Sequence, residues 1–184
     1  ANATSTAVVI TGGAGKDTIN KTGTNGNDGQ TINSFVVASG DSLQTGFDEI
    51  TGYDVTAGGD MADAVDFAGT AAIGTLGSST DASVIKSHAI SAGIATFDDA
   101  GTHSTALTID ASALADVGTY LASNTSTNDV VAFLYDDNGD GTNDGTMLYH
   151  NGATDSYVLL AGLTTADSVV IINTSTGAND IFVA

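Results

Sequence analysis

Short apolar runs, separated by turns rich in glycine, asparagine and aspartate, recur along most of this 184-residue chain. Apolar runs of about four to eight residues between such turns are typical of β-strands. Stretch 12–33 has large apolar residues only at Ile19 and Ile32, so no amphipathic helix fits it. The pattern predicts strands at Ala7–Thr11, Ser34–Val37, Asp48–Tyr53, Val130–Tyr135, Thr146–Tyr149, Ser156–Leu160 and Ser168–Ile172.

A hairpin and one helix interrupt this series of strands. Ser83–Ile90 and Gly93–Phe97 alternate apolar with small or polar residues around a turn at Ala92-Gly93, which predicts an antiparallel pair. Between Asp110 and Leu121, apolar residues recur about once per helical turn behind an aspartate that can cap the first turn. The sequence therefore predicts an all-β fold with one short helix.

The charge balance excludes several classes of partner. Three Lys+Arg residues stand against 22 acids, which gives a formal net charge of −19. Such a chain repels nucleic-acid phosphates and anionic lipid headgroups, so neither is an expected partner. No apolar run approaches the ~18 residues that span a bilayer, so we expect no transmembrane segment. Without cysteine, the chain has no disulfides and no thiolate metal site.

The acids are almost all of one type, with 21 Asp and a single Glu, Glu49. Asp is favoured in turns, where its short side chain brings a carboxylate close to the backbone, whereas Glu favours helices. Calcium takes several oxygen ligands from flexible loops, and Asp, Asn and main-chain carbonyls supply them. The composition therefore indicates calcium-binding loops. The alternative is an acidic surface adapted to salt or to solubility.

The sharpest motif is the nonapeptide that begins at Gly12 and ends at Asn20. It fits the calcium repeat Gly-Gly-x-Gly-x-Asp-x-U-x at every fixed position, where U is a large apolar residue. The glycines allow a tight turn in which carbonyls and the aspartate face a cation. The predicted ligands here are Gly13, Gly15 and Asp17, followed by Asn27 and Asp28 in a degenerate second turn.

Residues 12–69 resemble the C-terminal RTX β-roll region of bacterial proteins exported by type I secretion. The resemblance rests on the nonapeptide, on Ser34–Ser42, on Asp48–Asp54 and on Val65–Phe67. It departs from the pattern at Gly52 and Tyr53, where Asp and Phe are usual. The resemblance implies a short parallel β-roll over 1–69 and calcium ligands at Asp41, Asp48, Asp54, Asp60, Asp63 and Asp66.

The remainder of the chain, 70–184, is predicted to continue the roll as a β-sandwich or mixed β-region. Within it, residues 85–172 resemble more loosely the C-terminal region of RTX-type surface-layer proteins. The last residues, Asp180–Val183, resemble the terminal element of type I substrates, with an ordinary final β-strand as the alternative. The resemblance implies that the type I secretion machinery is a partner.

A second acidic loop lies between two predicted strands, at Asp136–Gly145. Its acids and amides at positions one, three and five, with glycine at six, match the start of an EF-hand loop. Position twelve is Met147 instead of the bidentate Glu, so this is no EF-hand. The loop either binds a calcium ion or is a solvated hairpin loop, and both interpretations remain open. The candidate ligands are Asp136, Asn138, Asp140, the Thr142 carbonyl and Asp144.

Sequence motifs for catalysis do not occur, and we expect no enzyme. His-Glu-x-x-His and Gly-x-Ser-x-Gly are absent, and the histidines at 88, 103 and 150 are expected on strand or loop surfaces. The leading hypothesis is a secreted or cell-surface, calcium-binding structural protein that assembles with copies of itself into a surface layer or filament. The alternative is the C-terminal secretion and folding module of a larger RTX adhesin or enzyme.

Assembly has a candidate element in the N-terminal strand Thr6–Thr11. A terminal strand flanked by small residues can add to the sheet edge of a neighbouring copy. The alternative is that this strand pairs within its own chain, as the first strand of the roll.

Overall fold

A computed structural model describes residues 8–21, 33–55, 63–67, 72–74, 76, 80–165, 169–174 and 177–183 of the chain. These residues form thirteen strands and one helix. In chain order they are β1 (Val8–Thr11), β2 (Thr18–Asn20), β3 (Asn33–Val37), β4 (Asp48–Thr51), β5 (Ala64–Phe67), β6 (Ala72–Ile73), β7 (Ser87–Ser91), β8 (Ile94–Asp98), α1 (Leu114–Asn124), β9 (Asp129–Tyr135), β10 (Gly145–His150), β11 (Ser156–Ala161), β12 (Val169–Thr174) and β13 (Gly177–Val183).

The strands form two sheets. The first has the order β1-β3-β5-β13-β12, and the second has the order β2-β4-β11-β10-β9-β8-β7, with β6 paired to β9. Strands β1 to β5 alternate between the sheets, and their neighbours β1-β3, β3-β5 and β2-β4 are parallel. This order is compatible with the β-roll, which stays a prediction because its turns at 22–32 and 56–62 lie outside the described residues.

Regions 1–69 and 70–184 contribute strands to both sheets. In the second sheet, β4 pairs in parallel with β11. In the first sheet, β13 pairs antiparallel with β5 and β12. Residues Asp180–Val183 thus belong to an inner strand, and Ile181 and Val183 are fully buried. Any recognition of this segment by a secretion machinery stays a prediction.

One hydrophobic core lies between the facing sides of the two sheets. Phe35 and Phe67 of the first sheet pack in the same cluster as Ile50, Leu148 and Val158 of the second. Burying one such side chain fully contributes about 1.5–3 kcal/mol. The cluster therefore explains why the sheets pack face to face.

A second core lies between the other side of the second sheet and the helix. Val117, Tyr120 and Leu121 of α1 are fully buried against Phe97 and Phe133. The inner strands β9, β10 and β11 are thus covered on both faces, which explains their nearly continuous apolar sequences.

The structure confirms the all-β fold with one short helix and shifts two predicted boundaries. The helix begins at Leu114 and ends at Asn124, whereas Asp110 accepts hydrogen bonds from the Ser112 and Ala113 amides in the turn before it. The hairpin turn has positive φ at Ala92 and Gly93, +50° and +84°, the conformation of a type I′ turn.

The first hairpin strand begins at Ser87, later than the predicted Ser83. The amides of Ser83, Val84 and Ile85 donate instead to the carboxylate of Asp116 on the helix, at 2.6–2.9 Å. These amides are therefore not available for strand pairing. The start of β7 thus depends on the packing of α1 against this loop.

Candidate metal centre

The nonapeptide folds into a tight turn between β1 and β2. Gly13 and Gly15 have φ of +95° and +112°, a region that side chains other than glycine rarely adopt. A Cβ added to Gly12 would lie 2.9 Å from Asp17 Oδ2, so the aspartate folds back over a residue that must be small. The turn thus requires the glycines of the motif.

Three predicted acidic ligands and Gly15 meet near this turn. The Asp17 amide donates to Asp48 Oδ1 at 3.0 Å, and the Gly15 amide donates to the Asp41 carbonyl at 3.0 Å. Asp48 is buried, and burial raises the pKa of its carboxyl. The hydrogen bond from Asp17 lowers that pKa, and the negative charges of Asp17 and Asp41 raise it further. A cation between these carboxylates would relieve their repulsion.

This arrangement is not a complete metal cage. Within the part of the chain that the structure describes, no three acidic or histidine side chains lie close enough to hold one ion. Calcium at this turn would need main-chain and water oxygens besides the carboxylates, which is common for calcium in loops. Calcium binding therefore stays a prediction for Gly13, Gly15, Asp17, Asp41 and Asp48.

Asp63 lies in an ion pair and a set of hydrogen bonds, and its role as a calcium ligand stays a prediction. Its carboxylate is fully buried and accepts hydrogen bonds from Lys21 Nζ at 2.8 Å, from Asn33 Nδ2 at 2.8 Å and from the Asp54 amide at 2.9 Å. Both of its oxygens therefore have protein donors. Sequence analysis missed Lys21 as the partner, because 42 residues separate the two side chains.

Tyr53 explains one departure from the RTX pattern. Its ring packs beside Phe35, with centroids 6.2 Å apart, and its hydroxyl donates to the main-chain carbonyl of Asp63. A phenylalanine at this position has no such donor. Two neighbouring predicted ligands lie in different elements. Asp54 is buried in the segment that precedes β5, and Asp66 is half-buried within β5. Three further predicted ligands lie outside the described residues, namely Asn27, Asp28 and Asp60.

The loop between β9 and β10 uses its acids as acceptors for its own backbone. Asp136 is buried and accepts from the Gly139 and Gly141 amides, both at 2.7 Å. Asp144 accepts from the amides of 137 and 138 at 3.0 and 3.1 Å. Asn138 and Asp140 each accept from the amide two residues later, Thr142 providing the second of these amides.

These contacts match the solvated-hairpin alternative, in which acids stabilise tight turns by accepting from nearby amides. Gly139 and Gly141 have positive φ, which such turns require. Carboxylate oxygens that accept one amide retain lone pairs for a cation. Calcium at this loop therefore stays a prediction.

One histidine differs from its expected position. His150 at the end of β10 is 2% exposed, not on the surface, and its ring stacks on Phe67 with centroids 4.9 Å apart. Its Nε2 has no hydrogen-bond partner, and burial lowers the pKa of the ring. Because β10 is covered on both faces, the position that ends the strand is buried together with it.

Comparison of the chain with protein-family models, with curated proteins and with solved structures finds no match. The RTX resemblance therefore rests on the motifs alone. No helix in the described residues is both long enough and apolar enough to span a bilayer.

Proposed function

We propose that the protein is a secreted, calcium-binding structural protein that assembles with copies of itself into a surface layer or filament. The observation that supports this most directly is strand β1. It is an outer strand of the first sheet, and its Val8 and Val9 side chains are 44% and 61% exposed. It pairs in parallel with β3 of its own chain, as the alternative for this strand predicted, and within the described residues no strand pairs with its other edge.

The edge of β1 lacks two features that keep sheet edges apart, namely a charge and a proline. Natural edge strands are commonly short, charged or interrupted by proline, since open edges associate. Strand β1 contains two valines, Ile10 and a threonine, without a charge or a proline. By contrast, β2 at the edge of the second sheet has three residues between Asp17 and Lys21. Pairing of β1 with a strand of another copy is therefore the favoured mode of assembly.

Calcium binding would control whether the copies assemble. Copies with a net charge of −19 repel one another. Calcium at the acidic turns would reduce that charge and would hold the turn after β1 in place. Export by type I secretion, without catalytic activity, completes the proposal.

The test is imaging and sedimentation of the purified protein with calcium and with chelator. We expect assemblies in calcium and dispersal after chelation. A Val9→Lys variant should stay dispersed in calcium, because it places a charge on the open edge. The matched control is Val84→Lys, which makes the same change at a valine that is 48% exposed and lies outside every strand.

Two results would overturn the proposal in separate ways. Dispersed monomers in both conditions would exclude self-assembly. A thermal melting temperature that chelator leaves unchanged would exclude calcium as the stabilising ligand.

A further inference from the structure

A groove of about 600 Å³ lies on the side of the molecule that carries the helix. It runs between α1, the loop at Leu43 to Thr45 and the residues that lead into β11. Pockets for small ligands typically have volumes of about 300–1,000 Å³. The groove is therefore large enough for a small molecule or for one long side chain.

Small residues of the helix form part of the groove wall. On the helix, Ala115, Gly118 and Ala122 recur about once per turn and line one wall. A side chain at Gly118 would collide with the hydroxyl of Tyr157, which lies directly below the helix. Leu43 is 41% exposed and lines the groove from the facing loop. Walls of this shape suit an unbranched chain of methylene groups.

The groove also contains a carboxylate without a counterion. Asp155 is half-buried, and in the described part of the chain the single ion pair joins Lys21 to Asp63. Burial raises the pKa of the Asp155 carboxyl, and the neighbouring Tyr149 hydroxyl lowers it. A carboxylate in this position gains from any ligand that brings a positive charge.

The buried hydroxyl of Tyr149 lies next to the Asp155 carboxylate. Tyr149 is fully buried, and its ring meets Tyr157 edge to face with centroids 5.3 Å apart. Its hydroxyl faces the Asp155 carboxyl and lowers the pKa of that group by hydrogen bonding, although its geometry falls short of a well-formed hydrogen bond. A buried hydroxyl whose hydrogen bond is poorly formed is costly. A ligand that draws Asp155 into good geometry would remove that cost.

We infer that this groove binds a primary alkylammonium group, with the ammonium on Asp155 and the methylene chain along Ala115, Gly118 and Ala122. The hydroxyls of Thr119 and Thr154 also line the groove and can accept from the remaining ammonium protons. The net charge of −19 raises the local concentration of such cations. Two sources present this chemistry, namely a free polyamine and a lysine side chain of a partner protein.

The test is an NMR titration of the 15N-labelled full chain carrying Val9→Lys, the variant that is expected to stay dispersed in calcium, saturated with calcium at physiological ionic strength. The probes are 1,5-diaminopentane, Nα-acetyl-lysine methylamide and the neutral 1,5-pentanediol. We expect the amides of Gly118, Thr119 and Asp155 to shift with both amines, and at least about tenfold weaker binding of the diol, or about 1.4 kcal/mol. Tighter binding of the lysine derivative than of the diamine would assign the site to a protein partner, and the reverse order to a free polyamine.

Two variants distinguish this groove from general attraction to an acidic protein. Asp155→Asn should weaken diamine binding about tenfold. Asp99→Asn makes the same charge change at an exposed residue that does not line the groove, and should leave binding within about twofold. Ala122→Leu fills the groove from an exposed helix position and should also weaken binding, which keeps the test valid if Asp155→Asn fails to fold.

Three outcomes would overturn the inference. They are the absence of amide shifts with either amine, binding of the diol as tight as that of the diamine, and equal losses in the two aspartate variants. None of these outcomes depends on whether the protein assembles.

Discussion

Replacing Asp63 by asparagine tests whether this residue is a structural ion-pair partner or a calcium ligand. The substitution preserves the volume of the side chain and removes its charge. It replaces one carboxylate oxygen by an NH2 group, so the donors on Lys21, on Asn33 and on the Asp54 amide then compete for a single oxygen. At least one of these buried donors loses its acceptor.

The expected loss of unfolding free energy follows from the burial of the pair. Removing one partner of a buried ion pair typically costs about 3–5 kcal/mol, because the other charge stays buried without compensation. The Asp63 side chain is 0% exposed and the Lys21 side chain is 18% exposed. Water therefore reaches the ammonium in part, and we expect a loss at the lower end of that range, about 3 kcal/mol.

The assay is urea denaturation, followed by circular dichroism, in calcium and again in chelator. A structural ion pair predicts the same loss in both conditions, since Lys21 is present in each. The matched control is Asp99→Asn, which makes the same change at an exposed residue and should change stability by less than about 0.5 kcal/mol.

Two results would refute this reasoning. A loss below about 1 kcal/mol would mean that the pair behaves like a solvent-exposed one. A loss that appears in calcium and disappears in chelator would identify Asp63 as a calcium ligand. Adding Lys21→Met should recover part of the loss, because it removes the uncompensated charge.

Three further substitutions have defined outcomes. His150→Phe should raise stability at neutral pH by about 1 kcal/mol, since it removes a buried nitrogen without a partner and keeps the stacking on Phe67. Burial lowers the pKa of His150, so the wild type should lose stability as the pH falls below the ordinary histidine pKa of about 6.5. Melting temperatures measured from pH 7.5 to 5 should therefore fall less steeply in the variant than in the wild type. Ser42→Ala should cost about 1–3 kcal/mol in urea denaturation, because its buried hydroxyl joins two segments through hydrogen bonds. Gly52→Ala should lower the melting temperature, since φ there is +78° and a Cβ would lie 2.5 Å from the Lys21 carbonyl oxygen.

The local elements were predictable from the sequence because their signals are local. Apolar alternation between Gly- and Asp-rich turns placed β3, β9, β10 and β11 to within about a residue at each end. The same patterns predicted the hairpin turn at Ala92-Gly93 and the positions on the helix that are buried. Strand β2 was missed, because its three residues lie within a motif dominated by turn residues.

The sequence alone also determined the chemistry of the turns. The glycines of the nonapeptide must be glycine because of their φ angles and because Asp17 packs against Gly12. The preference for Asp over Glu is explained, at least in the loop between β9 and β10, by carboxylates that accept from backbone amides two to seven residues away. Such short-range bonds leave a signature in composition and spacing.

Only the tertiary structure decided which distant groups meet. The parallel pairing of β4 with β11 joins residues about 110 positions apart in the chain, and no local pattern specifies that partner. The same holds for Lys21 beside Asp63 and for His150 beneath Phe67. The sequence of a turn does not reveal whether its carboxylate faces an amide, a lysine or a cation. The environment of the carboxylate depends on how the two sheets and the helix pack.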